Sequence, residues 1–153
     1  PELIAYHEFD DPLPAFQQAL FLYYLLTSDG APLTGRWVSF ADLPDGRMYN
    51  AAFQGYTGDE LAKAFGLELE GFKVACEKAG GEFAATGDAA YRFQALPRVE
   101  LLAVYHLGDE DFPSSCKILF DASATHYLPI DGCAIVGSML TKKIMVSSGT
   151  PTG

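Results

Sequence analysis

Residues 91–107 read YRFQALPRVELLAVYHL, and the change of period inside this stretch decides the fold class. Tyr91, Phe93 and Ala95 alternate with Arg92 and Gln94, the two-residue repeat of a strand that is wet on one face. From Val99 to Leu107 the chain is nearly continuously apolar, as a strand buried on both faces is. Leu96-Pro97-Arg98 interrupts the run, so the stretch is a strand pair or one long bent strand.

Downstream, the acidic loop 108–113 leads to a short strand at 117–120, a polar turn at 121–125 and a last helix over 131–145. Ile135, Val136, Met139, Leu140 and Ile144 form the buried face of that helix. The Lys142-Lys143 pair near its end complements the partial negative charge of a helix C-terminus. The small, polar residues 147–153 are expected to be a flexible tail.

Upstream, Leu69, Phe72, Ala75, Cys76 and Ala79 recur at helical spacing and Gly80-Gly81 stops the helix. Before it, Thr57 and Glu60 have the spacing of a capping box that opens a short helix ending at Gly66. Residues 36–40 alternate as a half-buried strand does and turn at Leu43-Pro44-Asp45-Gly46. A first helix spans 14–28, with Asp10 or Asp11 as its cap and Asp29-Gly30 as its stop. Phe16, Leu20, Tyr23 and Leu26 make one apolar face of it, while Phe21, Leu22, Tyr24 and Leu25 cover most of the rest. A helix apolar all round belongs at the centre of a core or beneath a partner. No repeat or linker divides the chain, so the expectation is a single α+β domain over 1–146, helices packed on a small, mainly antiparallel sheet.

At 153 residues the chain can build a real core, and 49% hydrophobic with 20% charged residues is ordinary globular usage. The longest apolar run, 19–26, is too short to span a bilayer. A formal charge of −10 with no segregated basic patch argues against nucleic acid and anionic lipid as partners. Cys76, Cys116 and Cys133 are widely spaced, form no C-x-x-C pair and read as buried thiols in a reducing compartment. No secretory signal is visible from Pro1 onward, which leaves the cytoplasm as the expected location.

The densest polar cluster is 121–127, DASATHY, with an acid, a hydroxyl and an imidazole within six residues. Asp121, Ser123 and His126 supply the residue types of a nucleophile, a base and an orienting group, although no Gly-x-Ser-x-Gly elbow surrounds Ser123. Turn formation and capping are the commoner uses of Asp and Ser after a strand. His7, His106 and His126 lack the i, i+3 or i, i+4 pairing of helical metal ligands, but axial ligation of a tetrapyrrole needs one imidazole only. Asp109-Glu110-Asp111 concentrates charge on a loop without a calcium-loop pattern, so no metal is assigned and the cofactor is left open. Tyr23, Tyr24, Tyr49, Phe53 and Tyr56 add aromatic surface beyond what one helix or loop face hides.

Three stretches carry a family resemblance: 32–53, with GRWVSF at 35–40 and LPDGR at 43–47; ALPRV at 95–99; and GDEDFP at 108–113 running on to ILFDAS at 118–123 and HYLP at 126–129. Together they resemble the domain of unknown function 3786, found mainly in anaerobic bacteria and archaea. Some relatives add a cysteine-rich iron–sulfur segment, and the cysteines that would hold such a cluster have no counterpart here. The resemblance implies a fold rather than a reaction, and it points to Arg98, Asp109, Asp121 and His126 as candidate ligand-binding residues. The functional expectation is a binding or accessory domain for a hydrophobic small molecule such as a tetrapyrrole, or for a protein partner. The alternative is a hydrolase-like enzyme using Asp121, Ser123 and His126.

Overall fold

The computed structural model describes residues 14–149. The 91–107 stretch is a strand pair: β3 (Ala89–Leu96) and β4 (Val99–His106) form an antiparallel hairpin whose last pair is Leu96 with Val99. Pro97 and Arg98 are the two loop residues. Among the described residues β4 is the middle strand of a five-stranded antiparallel sheet, and the remaining strands are β1 (Trp37–Ser39), β2 (Glu82–Ala84) and β5 (Ser115–Asp121). Their order across the sheet is β1-β5-β4-β3-β2. Both faces of β4 are dry over 101–105, as its unbroken apolar run requires.

The helices cover one face of the sheet. They are α1 (Ala15–Thr27), α2 (Asn50–Tyr56), α3 (Gly58–Phe65), α4 (Leu69–Lys78) and α5 (Ile130–Ser147). Leu101, Ala103 and Tyr105 of β4 and Cys116, Ile118 and Phe120 of β5 point to this layer and are buried. Phe53 of α2 stacks on Phe40 with ring centroids 4.1 Å apart and meets Phe120 at 5.8 Å. On α5, Gly137 lets the helix approach this aromatic group, since a Cβ there would sit 2.5 Å from the Phe53 ring. Phe72 of α4 packs on Tyr105 at 4.7 Å, and the Tyr105 hydroxyl donates to the Gly66 carbonyl at 2.7 Å, satisfying an end group of α3.

Several local expectations change. Helix α2 and strand β2 were not foreseen, and α2 explains why the Thr57–Glu60 capping box does not form. The chain enters α3 directly from α2, and the Thr57 hydroxyl donates back to the Phe53 carbonyl at 2.5 Å instead of capping α3. At the other end α5 runs to Ser147, so Lys142 and Lys143 lie inside it and its last turn carries no basic residue. Burial holds the Lys143 pKa below the usual lysine range. Ser147, where the tail was expected to start, is the last residue of α5, and residues 150–153 lie outside the described ones. So do Asp10 and Asp11; within the described residues α1 starts from Pro14 with no side-chain cap.

Helix α1 was expected at the centre of the core or beneath a partner. It is not central: only Gln17 and Leu20 are buried, and it lies on the outside of the helical layer against α5.

Candidate functional site

Antiparallel pairing fixes where the candidate residues meet. β4 runs away from the Pro97-Arg98 turn while β5 runs towards it, so Arg98, Asp121 and the short 3₁₀ turn Ala124–His126 share one end of the sheet. Asp109 follows the far end of β4. Eight strand residues place it roughly 24 Å away at ~3.4 Å per residue.

Asp121 is the best-connected side chain at the shared end, and it is 1% exposed. Its Oδ1 accepts from the Thr34 N–H at 3.1 Å, the Thr34 hydroxyl at 3.0 Å, the Ser123 N–H at 2.9 Å and the Ser123 hydroxyl at 2.7 Å. Its Oδ2 accepts from the Gly35 N–H at 2.8 Å. Burial alone would raise its pKa, but these donors outweigh burial and hold the carboxyl below the usual 3.8. The carboxylate thus fastens loop 28–36 to the end of the sheet. Three hydrogen bonds come from backbone amides, which a solvated turn residue would not collect.

Ser123 is buried and its hydroxyl proton is given to Asp121, not to His126. The imidazole of His126 is half exposed and meets Asp29 instead, Nδ1 to Oδ2 at 2.6 Å. That contact is the main reason the Asp29 carboxyl titrates low. The acid, hydroxyl and imidazole that looked like one relay are therefore two separate pairs. Nucleophilic chemistry needs the base within reach of the nucleophile, and here the base faces another loop.

Arg98, exposed at the hairpin turn, brings its backbone N–H to the Tyr24 hydroxyl of α1. The Tyr24 hydroxyl titrates high because it is partly buried and beside Tyr127, with Arg98 pulling the other way. Tyr24 stacks on Tyr127 at 5.6 Å, and the Tyr127 hydroxyl donates to the Ala31 carbonyl. Arg98, Tyr24, Tyr127, Asp121 and Asp29–His126 thus tie α1 and the loop after it to the sheet. Sequence reading passed over Asp29, Thr34 and Tyr127 as partners because they are distant in the chain.

At the opposite end, Asp109 closes its own loop: its Oδ1 accepts from the Asp111 and Phe112 N–H groups at 2.9 Å each, and these bonds keep its pKa low. It borders a cleft of about 500 Å³ with Asp59, Lys63, Leu67 and Phe112. Arg98, Asp121 and His126 line neither this cleft nor three others of about 330–460 Å³. His106 is exposed at the end of β4, and His7 lies outside the described residues. Among the described residues no group of three or more His, Cys, Asp or Glu side chains could hold a metal ion. Cys76, Cys116 and Cys133 are unpaired and buried, and burial pushes all three thiols up, Cys133 to about 12. They are packing groups rather than thiolates at neutral pH.

The fold and its polar end define a class: an α+β domain with one helix-covered sheet face, whose densest polar motif is spent on fastening loops. The chain belongs to the family described as a domain of unknown function (DUF3786), whose family model matches residues 4–143. No curated protein and no solved structure matches it. Among the described residues no helix is long and apolar enough to cross a membrane.

Proposed function

We propose that this is a non-catalytic accessory domain that docks on a larger protein through the outer face of α1. The reading rests on one observation: Leu22, Leu25 and Leu26 are 57%, 74% and 83% exposed. Their i, i+3, i+4 spacing sets them on one stripe, and the helix sequence AFQQALFLYYLLT contains no charge. Covering such side chains contributes about 1.5–3 kcal/mol each, so an apolar protein surface is the fitting occupant. The other face of α1 is anchored through Leu20 and through Tyr24, which stacks on Tyr127, so the helix is presented on a firm base. A convex ridge suits a groove on a partner better than it suits a small molecule, which needs a concave site. The tetrapyrrole alternative has less support, since His126 is engaged by Asp29 and His106 stands at the rim of an open groove.

Photo-crosslinking in the source cell tests the reading. A photoreactive residue at position 22, 25 or 26 should capture one and the same protein, and one at Arg92, on the uncovered sheet face, should not. Capture that is equal at all four positions, or none at the three helix positions, overturns the proposal.

A further inference from the structure

The sheet face without helices carries a second apolar surface. Ala90, Leu102 and Val104 are buried there and pack with Trp37, Ala84 and Leu119 in a cluster separate from the main core. Leu102, Val104 and Leu119 floor a groove of about 430 Å³ walled by Trp37 on one side and by residues 84–86 on the other. The second wall is built in place. Gly87 adopts φ +61, and a Cβ there would come within 2.7 Å of Val104 and 3.3 Å of His106, so only glycine lets the turn lie this close to β4. Asp88 then locks the turn, its N–H donating to the Tyr105 carbonyl at 2.9 Å and its Oδ2 accepting from the Leu107 N–H at 2.8 Å.

The Lys117 ammonium and the imidazole of His106 border the groove, and among the described residues neither makes an ion pair. Of the other charged groups on this face, Arg92 sits between Glu82 and Glu100, the latter at 3.2 Å, and the Asp88 carboxylate accepts from the Leu107 N–H. In a chain of net charge −10, an unpaired lysine and an imidazole beside a dry floor and the single tryptophan are complementary to one kind of ligand. We propose that this groove binds a small organic carboxylate with a flat apolar body, the body lying on Leu102 and Val104 against Trp37 and the carboxylate meeting Lys117 and His106. This site is independent of the α1 docking face and lies on the opposite side of the sheet.

Because Trp37 is the only tryptophan, its fluorescence reports this groove alone. The test titrates the full chain with 3-phenylpropionate and with 3-phenylpropan-1-ol, which keeps the ring and chain but lacks the charge. The acid should change the Trp37 emission saturably and bind about tenfold more tightly than the alcohol, the worth of one charge-assisted hydrogen bond. Lys117→Gln with His106→Gln should bring the ratio to about one, whereas Arg36→Gln, a neutralised cation outside the groove, should leave it unchanged. Should the double variant not fold, Lys117→Gln alone should still reduce the ratio. Equal binding of acid and alcohol, an unmoved Trp37 signal, or a preference that survives in the folded variants overturns the assignment.

Discussion

Helices α1 and α5 are both largely apolar and meet opposite fates. Each is apolar around most of its circumference, yet α5 buries Cys133, Val136, Leu140 and Ile144 together with Gly132, Gly137 and Thr141, while α1 buries Gln17 and Leu20. The difference lies in the small residues. Gly137 brings α5 against the Phe53 ring, and Thr141 folds its hydroxyl back onto the Gly137 carbonyl at 2.9 Å, so a narrow face slides into the aromatic core. The middle of α1 carries large side chains on every side, and of its apolar residues only Leu20 is fully buried in that core, while Phe21, Tyr23 and Tyr24 pack against it half-buried. Hydrophobicity therefore says how much surface a helix wants covered, and the distribution of small side chains says whether this chain can cover it.

Substitutions should separate the two helices. The largest effect is expected at Leu140, which is fully buried: Leu140→Ala should lower the free energy of unfolding by about 3–4 kcal/mol in urea titration, against a change within about 0.5 kcal/mol for Leu25→Ala. Equal costs at the two sites would mean that α1 is as much part of the core as α5. Gly137→Val comes next, at roughly 2–3 kcal/mol, because the new side chain must displace Phe53.

The polar end of the sheet gives smaller effects with a pH signature. Asp121→Asn should cost about 1–3 kcal/mol near neutral pH, since an amide cannot accept all five hydrogen bonds and brings donors that face other donors. The folded pKa of Asp121 lies below the unfolded value, so its contribution is present above about pH 4 and is lost as the pH falls through the folded pKa. Wild-type stability should accordingly fall over that acid range, and the Asn variant should show a shallower fall. A slope that the substitution leaves unchanged would show that other carboxyls govern acid unfolding. Least affected should be His126→Ala, which removes one half of an exposed pair and should leave the thermal midpoint unchanged.

How legible the fold was follows the same division. The β3–β4 hairpin was readable because a strand's environment is written at every second residue, and Pro97-Arg98 marks its turn. Helix α4 was readable from the spacing of Phe72, Ala75, Cys76 and Ala79. Helix α2 was not, because Phe53 and Tyr56 looked like surplus aromatics and its last turn contains Gly55. Strand β2 was missed because Glu82 and Phe83 are exposed and Ala84 half-buried, so its three residues show no alternation and owe their conformation to pairing with β3. The four candidate site residues were readable as polar motif positions, but residue types carry no geometry. Asp121 is occupied by Thr34, Gly35 and Ser123, His126 by Asp29, and Asp109 lies at the far end of the sheet.

The sequence by itself determined the class, since periods of two and of three to four residues are local properties of a chain that must bury one face of each element. It also determined that α1 wants more cover than its charge-free surface can find in water. Only the tertiary structure decided that α1 is peripheral, that the Asp121 carboxylate is engaged by Thr34, Gly35 and Ser123, and that Trp37, Lys117 and His106 face one groove. Each of these depends on which distant segments meet, and antiparallel register, not residue order, sets those meetings.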